Sequence, residues 1–219
     1  MGNEVGRRGD AAPVVGFDLD MTLVDSAEGI ALTLVATLAD FGRTTTRQEI
    51  WALNGMPLEQ TMSALAPGID AHAAAERYRE LYPRLGVPAT RVLPGAVEAL
   101  HAVRAAGGRT LIVSTKIPRA VRLVVDALGL EVDDIAGGLF AEAKGGYLRE
   151  VGAHVYVGDH PGDVLAARTA GAISVAVATG PHPASALAEA GADVVLPDLG
   201  PFPRWLAGSG PAGVRAGSP

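Results

Sequence analysis

The chain has 219 residues, a net charge of −6 and 48% hydrophobic residues, enough to build one large core or a core plus a smaller insert. The acidic balance speaks against a nucleic-acid binder, and the absence of cysteine excludes disulfides, thiol nucleophiles, thiolate zinc sites and iron–sulfur clusters. No apolar run reaches the roughly 18 residues of a membrane span, and no signal-peptide or myristoylation pattern is present, so a cytoplasmic protein with neither nucleic acid nor membrane as partner is expected.

Residues 1–12 read as a flexible tail. Val14-Val15-Gly16-Phe17 is a short apolar run ending in Asp18, the pattern of a strand covered on both faces. From Ser26 to about Arg91 there is no such run. Glu28–Asp40, Arg47–Leu53, Leu58–Leu65 and Ala71–Leu85 read as helices, broken at Gly42, Asn54-Gly55, Pro67-Gly68 and Gly86. Residues 26–91 are therefore expected to form a helical insert, and Pro94-Gly95 marks the return.

Ala96–Ala106 carries Val97, Leu100 and Val103 at helical spacing and stops at Gly107-Gly108. Thr110–Val113 is a second strand, ending in Ser114-Thr115-Lys116. Pro118–Leu128 is a helix stopped by Gly129. Val155–Val157 is a third strand, ending in Gly158-Asp159, followed by a helix over Val164–Ala170. Ser174–Ala178 and Val194–Leu196 are a fourth and fifth strand, and residues 207–219 read as a second tail. Strand and helix in alternation predict an α/β fold: a doubly wound, Rossmann-like parallel-sheet core over residues 13–25 and 92–206, carrying the inserted α-helical cap. Right-handed crossovers put every strand's carboxyl end on one edge, where such sheets bind ligands.

That edge collects Asp18 and Asp20, Ser114, Thr115 and Lys116, and Asp159 and Asp163, with Lys144 shortly before the third strand. The chain has 16 Arg but only two Lys, Lys116 and Lys144, and both belong to this set. Asp18 and Asp20 are two apart on an extended chain and so share a face. Like charges so placed call for a cation, and hard carboxylate oxygens suit Mg²⁺. A helix cap would account for Asp159 alone, not for four acids. The chemistry fits phosphate monoesters, whose hydrolysis enzymes accelerate by up to ~10²¹-fold. A carboxylate nucleophile divides the task through an aspartyl-phosphate, a second carboxylate moves the leaving-group proton, and lysine and hydroxyl donors hold the phosphoryl oxygens.

At these residues the sequence resembles the haloacid dehalogenase superfamily of phosphohydrolases, in its phosphoglycolate phosphatase-like branch. Phe17-Asp18-Leu19-Asp20-Met21-Thr22-Leu23-Val24-Asp25-Ser26 is similar to the first motif, Val113–Lys116 to the second, Lys144 to the third and Gly158–Asp163 to the fourth. The resemblance implies Asp18 as nucleophile and metal ligand. It implies Asp20 as general acid/base, offering its backbone carbonyl to the metal, and Thr22 as its support and a member of the phosphate-binding set. Ser114 and Thr115 would bind the phosphoryl group, Lys144 would pair with Asp18 and the phosphoryl oxygens, and Asp159 would complete the Mg²⁺ site, with Asp163 either as a further ligand or holding the ligands from behind. Met21 stands where the family usually has Gly. The segment from Lys144 to Asp159 is short, with room for a turn or two of helix over Tyr147–Val151, and this leaves Lys116 as the alternative phosphoryl-binding lysine. An acid two residues after the nucleophile favours phosphoryl transfer over dehalogenation.

The expected partner is a small phosphorylated metabolite. A phosphomutase on a sugar phosphate, or a non-catalytic binding protein on the same fold, are the alternatives. His72, His101, His154 and His182 read as structural or solvated, and His160 as a neighbour of the site. Arg43, Arg47 and Gly55-Met56 read as a solvated surface of the insert, with substrate selection as the alternative, and Arg119 could meet an acid group of the substrate.

Overall fold

Val14, Phe17 and their neighbours form the middle strand of a six-stranded parallel sheet in the computed structural model, which describes residues 12–209. In chain order the elements are β1 (Val14–Phe17), β2 (Val24–Asp25), α1 (Ala27–Asp40), α2 (Arg47–Ala52), α3 (Leu58–Leu65), α4 (Ala71–Leu85), β3 (Arg91–Val92), α5 (Ala96–Ala105) and β4 (Arg109–Ser114). They continue with α6 (Pro118–Leu128), β5 (Asp134–Gly137), α7 (Glu142–Glu150), β6 (Val155–Gly158), α8 (Pro161–Ala170), β7 (Ile173–Val177), α9 (Ala184–Glu189), β8 (Val194–Leu196) and α10 (Phe202–Ser209).

The sheet order is β5-β4-β1-β6-β7-β8, with every pair parallel. The chain leaves β1, builds outward through β4 and β5, then crosses to the other side for β6, β7 and β8. The reversal puts a crevice at the carboxyl ends of β1, β4 and β6, where doubly wound sheets hold ligands. Register ties Phe17 to Ile112 on one side and to Val157 on the other, so the residues just after all three strands emerge side by side.

Alternate strand residues cover both faces. Val15, Phe17, Ile112, Val155 and Val157 join the larger core with α5, α6 and α10, whereas Leu111, Val113 and Tyr156 pack under α7 and α8 through Leu148, Ala166 and Ala167. Left-handed Gly129 closes α6, as the sequence predicts, and left-handed Gly171 closes α8 in the same way.

The segment between β2 and β3 is helical throughout its regular elements, and its four helices begin and end within a residue of the predicted bounds. α2 opens on a capping box in which Thr46 accepts from Glu49 N–H and Glu49 accepts from Thr46 N–H. α1 lies so close to the end of α4 that a Cβ on Gly29 would collide with the Gly86 carbonyl. The antiparallel β2–β3 pair, Val24 opposite Val92, is where the segment leaves and rejoins the sheet.

Three features depart from the sequence reading. β5 supplies a sixth strand that Asp134-Ile135-Ala136-Gly137 does not announce, because an edge strand needs no continuous apolar run. The helix read at Tyr147–Val151 starts at Glu142, so Lys144-Gly145-Gly146 lie inside it; Gly145 is buried against Thr169, a close approach that explains that glycine, whereas a side chain on Gly146 would meet open space. α9 and α10 are helices the sequence pattern does not announce, and α10 runs through residue 209, into the expected tail. Otherwise the two tails lie outside the described residues, apart from Ala12. No helix among the described residues is long and apolar enough to cross a membrane.

Candidate active site

The backbone N–H of Asp18 donates to the Val157 carbonyl (2.8 Å), which continues the β1–β6 ladder one residue beyond the strand. The chain then turns sharply. The Leu19 carbonyl accepts from Leu23 and Val24 N–H, and Met21 N–H donates to the Val24 carbonyl. This turn holds Met21 at φ 58°, the left-handed conformation that glycine adopts freely. Met21 therefore keeps the glycine geometry at the position where the resemblance expects Gly, and its side chain is buried. The Thr179 hydroxyl donates to its carbonyl and pins the turn to the loop after β7.

Ser114 ends β4 and is almost fully buried; its hydroxyl accepts from Lys116 N–H at 3.2 Å. The Thr115 hydroxyl reaches the Gly55 carbonyl of the helical segment at 3.4 Å. The Lys116 ammonium pairs with Asp20 Oδ2 at 3.1 Å and sits 4.4 Å above the centre of the Tyr82 ring.

Lys144, in the first turn of α7, is 3% exposed and donates to Asp18 Oδ1 (2.9 Å) and Asp163 Oδ1 (2.7 Å). The lysine beside the nucleophile position is thus Lys144, and Lys116 serves Asp20. Both lysines of the chain are consumed by this one edge.

Asp159 follows β6. It does not cap α8: that role falls to His160, whose Nδ1 accepts from Gly162 N–H at 2.9 Å while Asp163 Oδ2 accepts from His160 N–H at 3.1 Å. Asp159 is left free to face Asp18. Thr22 does not border the cavity and supports a different carboxylate from the one expected, because its buried hydroxyl donates to Asp159 Oδ1 (3.2 Å) and not to Asp20. Two site residues were not legible in the sequence. The Tyr156 hydroxyl donates to the Val113 carbonyl (2.7 Å) and lies 3.3 Å from Asp163 Oδ1, but it sits within an ordinary apolar strand run. Gly180 abuts Asp159 so closely that any Cβ there would collide with Oδ2.

One carboxylate oxygen from each of Asp18, Asp159 and Asp163 can be chosen so that all three lie within 4.8 Å of one another, and all three residues are buried. Against these three acids stands one ammonium. Burial, helped by Asp163 and Asp20 and opposed by Lys144, pushes the Asp18 carboxyl up to about 7. Burial and then the charges of Asp18 and Asp163 raise Asp159 well above the usual carboxylate range. Burial works against the charge of Lys144, but Asp163 and Asp18 outweigh it and hold the ammonium well above its ordinary value. The surplus of negative charge and the hard oxygen donors fit a divalent cation, which would relieve the repulsion that raises Asp18 and Asp159.

A cavity of about 510 Å³ opens over this edge. Asp18, Asp20, Ser114, Thr115 and Lys116 border it from the sheet, and Asn54, Gly55, Met56, Arg79 and Tyr82 border it from the helical segment. Gly55-Met56 thus reach the site, as does Arg119, whereas Arg47 is spent on an exposed ion pair with Glu28. His160 and His182, read as a neighbour and a loop residue, meet edge to face with ring centres 4.6 Å apart.

The model of the haloacid dehalogenase-like hydrolases matches residues 15–168. Probable phosphatase IndB of Dickeya dadantii is 28% identical over 84% of this chain and 89% of its own. A phosphoglycolate phosphatase of Pseudomonas syringae pv. tomato is 29% identical over 87% of this chain and 78% of its own. Among solved structures, that of a predicted phosphatase from Clostridium acetobutylicum superposes with a TM-score of 0.80 at 21% identity, covering 90% of this chain and 99% of that one. The matched span contains Asp18, Asp20, Ser114, Lys144, Asp159 and Asp163, and the chain belongs to the haloacid dehalogenase-like hydrolase family.

Proposed function

We propose that this enzyme hydrolyses a small phosphate monoester, with Mg²⁺ and through a phosphoryl group carried on Asp18. The observation that supports this most is the single cluster of Asp18, Asp159, Asp163 and Lys144 beneath a cavity bordered by Asp20 and Ser114. The phosphatases among its relatives agree with it.

Asp18 and Asp159 would hold the cation with the Asp20 backbone carbonyl, and Asp163 would complete the set while orienting Lys144. When bound, the cation screens the negative charge between the carboxylate and the phosphoryl oxygens. The Lys144 ammonium orients Asp18 for attack on phosphorus. As the bond from phosphorus to the ester oxygen breaks, protonated Asp20 gives its proton to the leaving alkoxide. The resulting Asp20 carboxylate then takes a proton from the water that attacks the phosphoryl-Asp18 bond; inorganic phosphate departs and both carboxyl groups return to their starting states. Asp20 Oδ1 is the oxygen suited to this proton, since Oδ2 is engaged by Lys116 and Oδ1 has no partner. Ser114 and the Thr115 backbone would hold the phosphoryl oxygens.

Residues 26–91 are read as a cap, and residues 13–25 with 92–206 as the core it closes on. The Thr115–Gly55 hydrogen bond and the packing of His160 against Gly55 are the contacts such a closure would make.

Phosphate release from a panel of small phosphate esters, with Mg²⁺ and with EDTA, tests the reading. Mg²⁺-dependent release from at least one ester is the expected result. Transfer of the phosphoryl group to a sugar without release would instead indicate a mutase, and no binding or turnover of any ester would overturn the reading.

A further inference from the structure

Among the described residues, four buried side-chain polar atoms lack a hydrogen-bond partner, and three of them belong to residues bordering the active-site cavity: Asp20 Oδ1, Arg79 Nε and the Tyr82 hydroxyl. Asp20 Oδ1 is accounted for by the leaving-group oxygen. Arg79 and Tyr82 are not. They lie three residues apart on α4, so they share a face of that helix. Tyr82 is 1% exposed, and its ring already carries Lys116, which pairs with Asp20. Tyr82 is therefore linked through Lys116 to the carboxylate that handles the leaving group, and the Arg79 N–H lies one helical turn away on the same cavity wall.

From these contacts we infer that Arg79 and Tyr82 are specificity residues, which bind an oxyanion at the far end of the leaving group of the phosphate ester. The inference rests on the phosphate-ester reading and adds the substrate's second recognition point. Two donors in a buried wall need an acceptor. Water can supply one while the cavity is open, but a leaving group that displaces the water without an acceptor leaves both unpaired. Sites built to hydrogen-bond a substrate reject analogues lacking that group far more strongly than apolar pockets reject a missing methylene. The charges favour an anion over a hydroxyl. Arg79 pairs with Glu76 through Nη1 but keeps its Nε–H without a partner, and Arg119, exposed on the same cavity, takes part in no ion pair among the described residues, so an uncompensated cation stands on this wall. The two further acids on the wall are engaged, Glu76 with Arg79 and Glu59 with His72. A charge-assisted bond to an oxyanion is roughly twice as strong as a neutral one.

The test is calorimetric binding of non-hydrolysable phosphonates of matched length to the full chain with Mg²⁺. Phosphonopropionate ends in a carboxylate, propane bisphosphonate in a second phosphonate, hydroxypropylphosphonate in a hydroxyl and propylphosphonate in a methyl group. At least one of the two charged ligands should bind about tenfold or more tighter than propylphosphonate, and which one does so identifies the oxyanion. Tyr82→Phe and Arg79→Met should each collapse that ratio. Tyr82→Phe should do so without lowering the melting temperature of the free protein, because the hydroxyl has no partner to lose and the phenyl ring still faces Lys116. Equal affinity for all four ligands, equal affinity for the hydroxyl and the charged ends, or a ratio unchanged in both variants would overturn the inference. If no phosphonate binds at all, the phosphate-ester reading itself falls.

Discussion

The ammonium of Lys144 lies 2.9 Å from Asp18 Oδ1 and is buried with it, although 126 residues separate the two in the chain. Sheet topology makes this possible: Asp18 leaves β1, and Lys144 reaches it from the helix that leads into the adjacent strand β6. A compact ammonium suits a site shared with Asp163, where a planar guanidinium would need more room.

Replacing that cation isolates its role. Lys144→Met should lower kcat/KM by about 10²–10³-fold, the scale of losing one preorganised charge stabiliser. It should also destabilise the fold by about 3–5 kcal/mol when the partner carboxylates are charged, because breaking a buried pair strands them. The stability loss should be smaller at low pH, where Asp18 takes up a proton. Thermal melts at two pH values with steady-state kinetics check both parts.

Acidity gives a second prediction. Asp18 is raised from 3.8 to about 7 in the metal-free protein, so between those values the native state holds a proton that the unfolded chain releases. The stability this brings is complete below the unfolded value and is lost as pH rises through about 7. Asp159 acts in the same direction. His160 and His182 are lowered by burial and work the opposite way, but only below their ordinary value of 6.5. EDTA-treated protein should therefore lose stability between pH 6.5 and about 8, and the increase in melting temperature on adding Mg²⁺ should grow across the same window.

Gly180 gives a third. A methyl group there would collide with Asp159 Oδ2, so Gly180→Ala must displace that carboxylate. Mg²⁺ affinity should drop about tenfold or more, while the circular dichroism spectrum stays that of the parent. Calorimetric titration of Mg²⁺ into both proteins measures it.

The fold was largely legible because Val-rich runs ending in Asp or Ser recur between helical stretches, and a buried parallel strand has few other signatures. β5 escaped because Asp134–Gly137 lies at the sheet edge, half exposed, with only Ile135 as a large apolar residue. The two-residue strands β2 and β3 are too short to carry any period. At the site, the acids and both lysines could be read because charged groups seldom collect at the ends of buried strands without a task. Their division of labour could not. Which lysine meets Asp18 depends on α7 starting at Glu142, and Gly145-Gly146 conceals that start, since glycine is a poor helix former. Tyr156 and Gly180 carry no local signal, because their roles exist only once β6, β7 and the loops beyond them are side by side.

Met21 supplies a fourth prediction, in which two magnitudes compete. Holding a non-glycine residue at φ 58° costs about 1–2 kcal/mol, which Met21→Gly would relieve. The same change removes a side chain only 5% exposed, worth about 1.5–3 kcal/mol of burial, and frees the unfolded backbone. The sum is a net loss of about 1 kcal/mol, checked by denaturant unfolding. A gain in stability would mean that the side chain contributes little packing.

The central claim is that Asp18 forms the bond to phosphorus, and Asp18→Asn tests it most directly when activity and melting temperature are measured on the same preparation. The substitution keeps the shape and removes a charge that burial and the neighbouring acids disfavour more than Lys144 favours it. The account predicts that Mg²⁺-dependent phosphate release falls by about 10³-fold or more while the metal-free melting temperature at pH 8 holds or rises. Release within about tenfold of the parent rate would contradict it and leave Asp18 a structural ligand only.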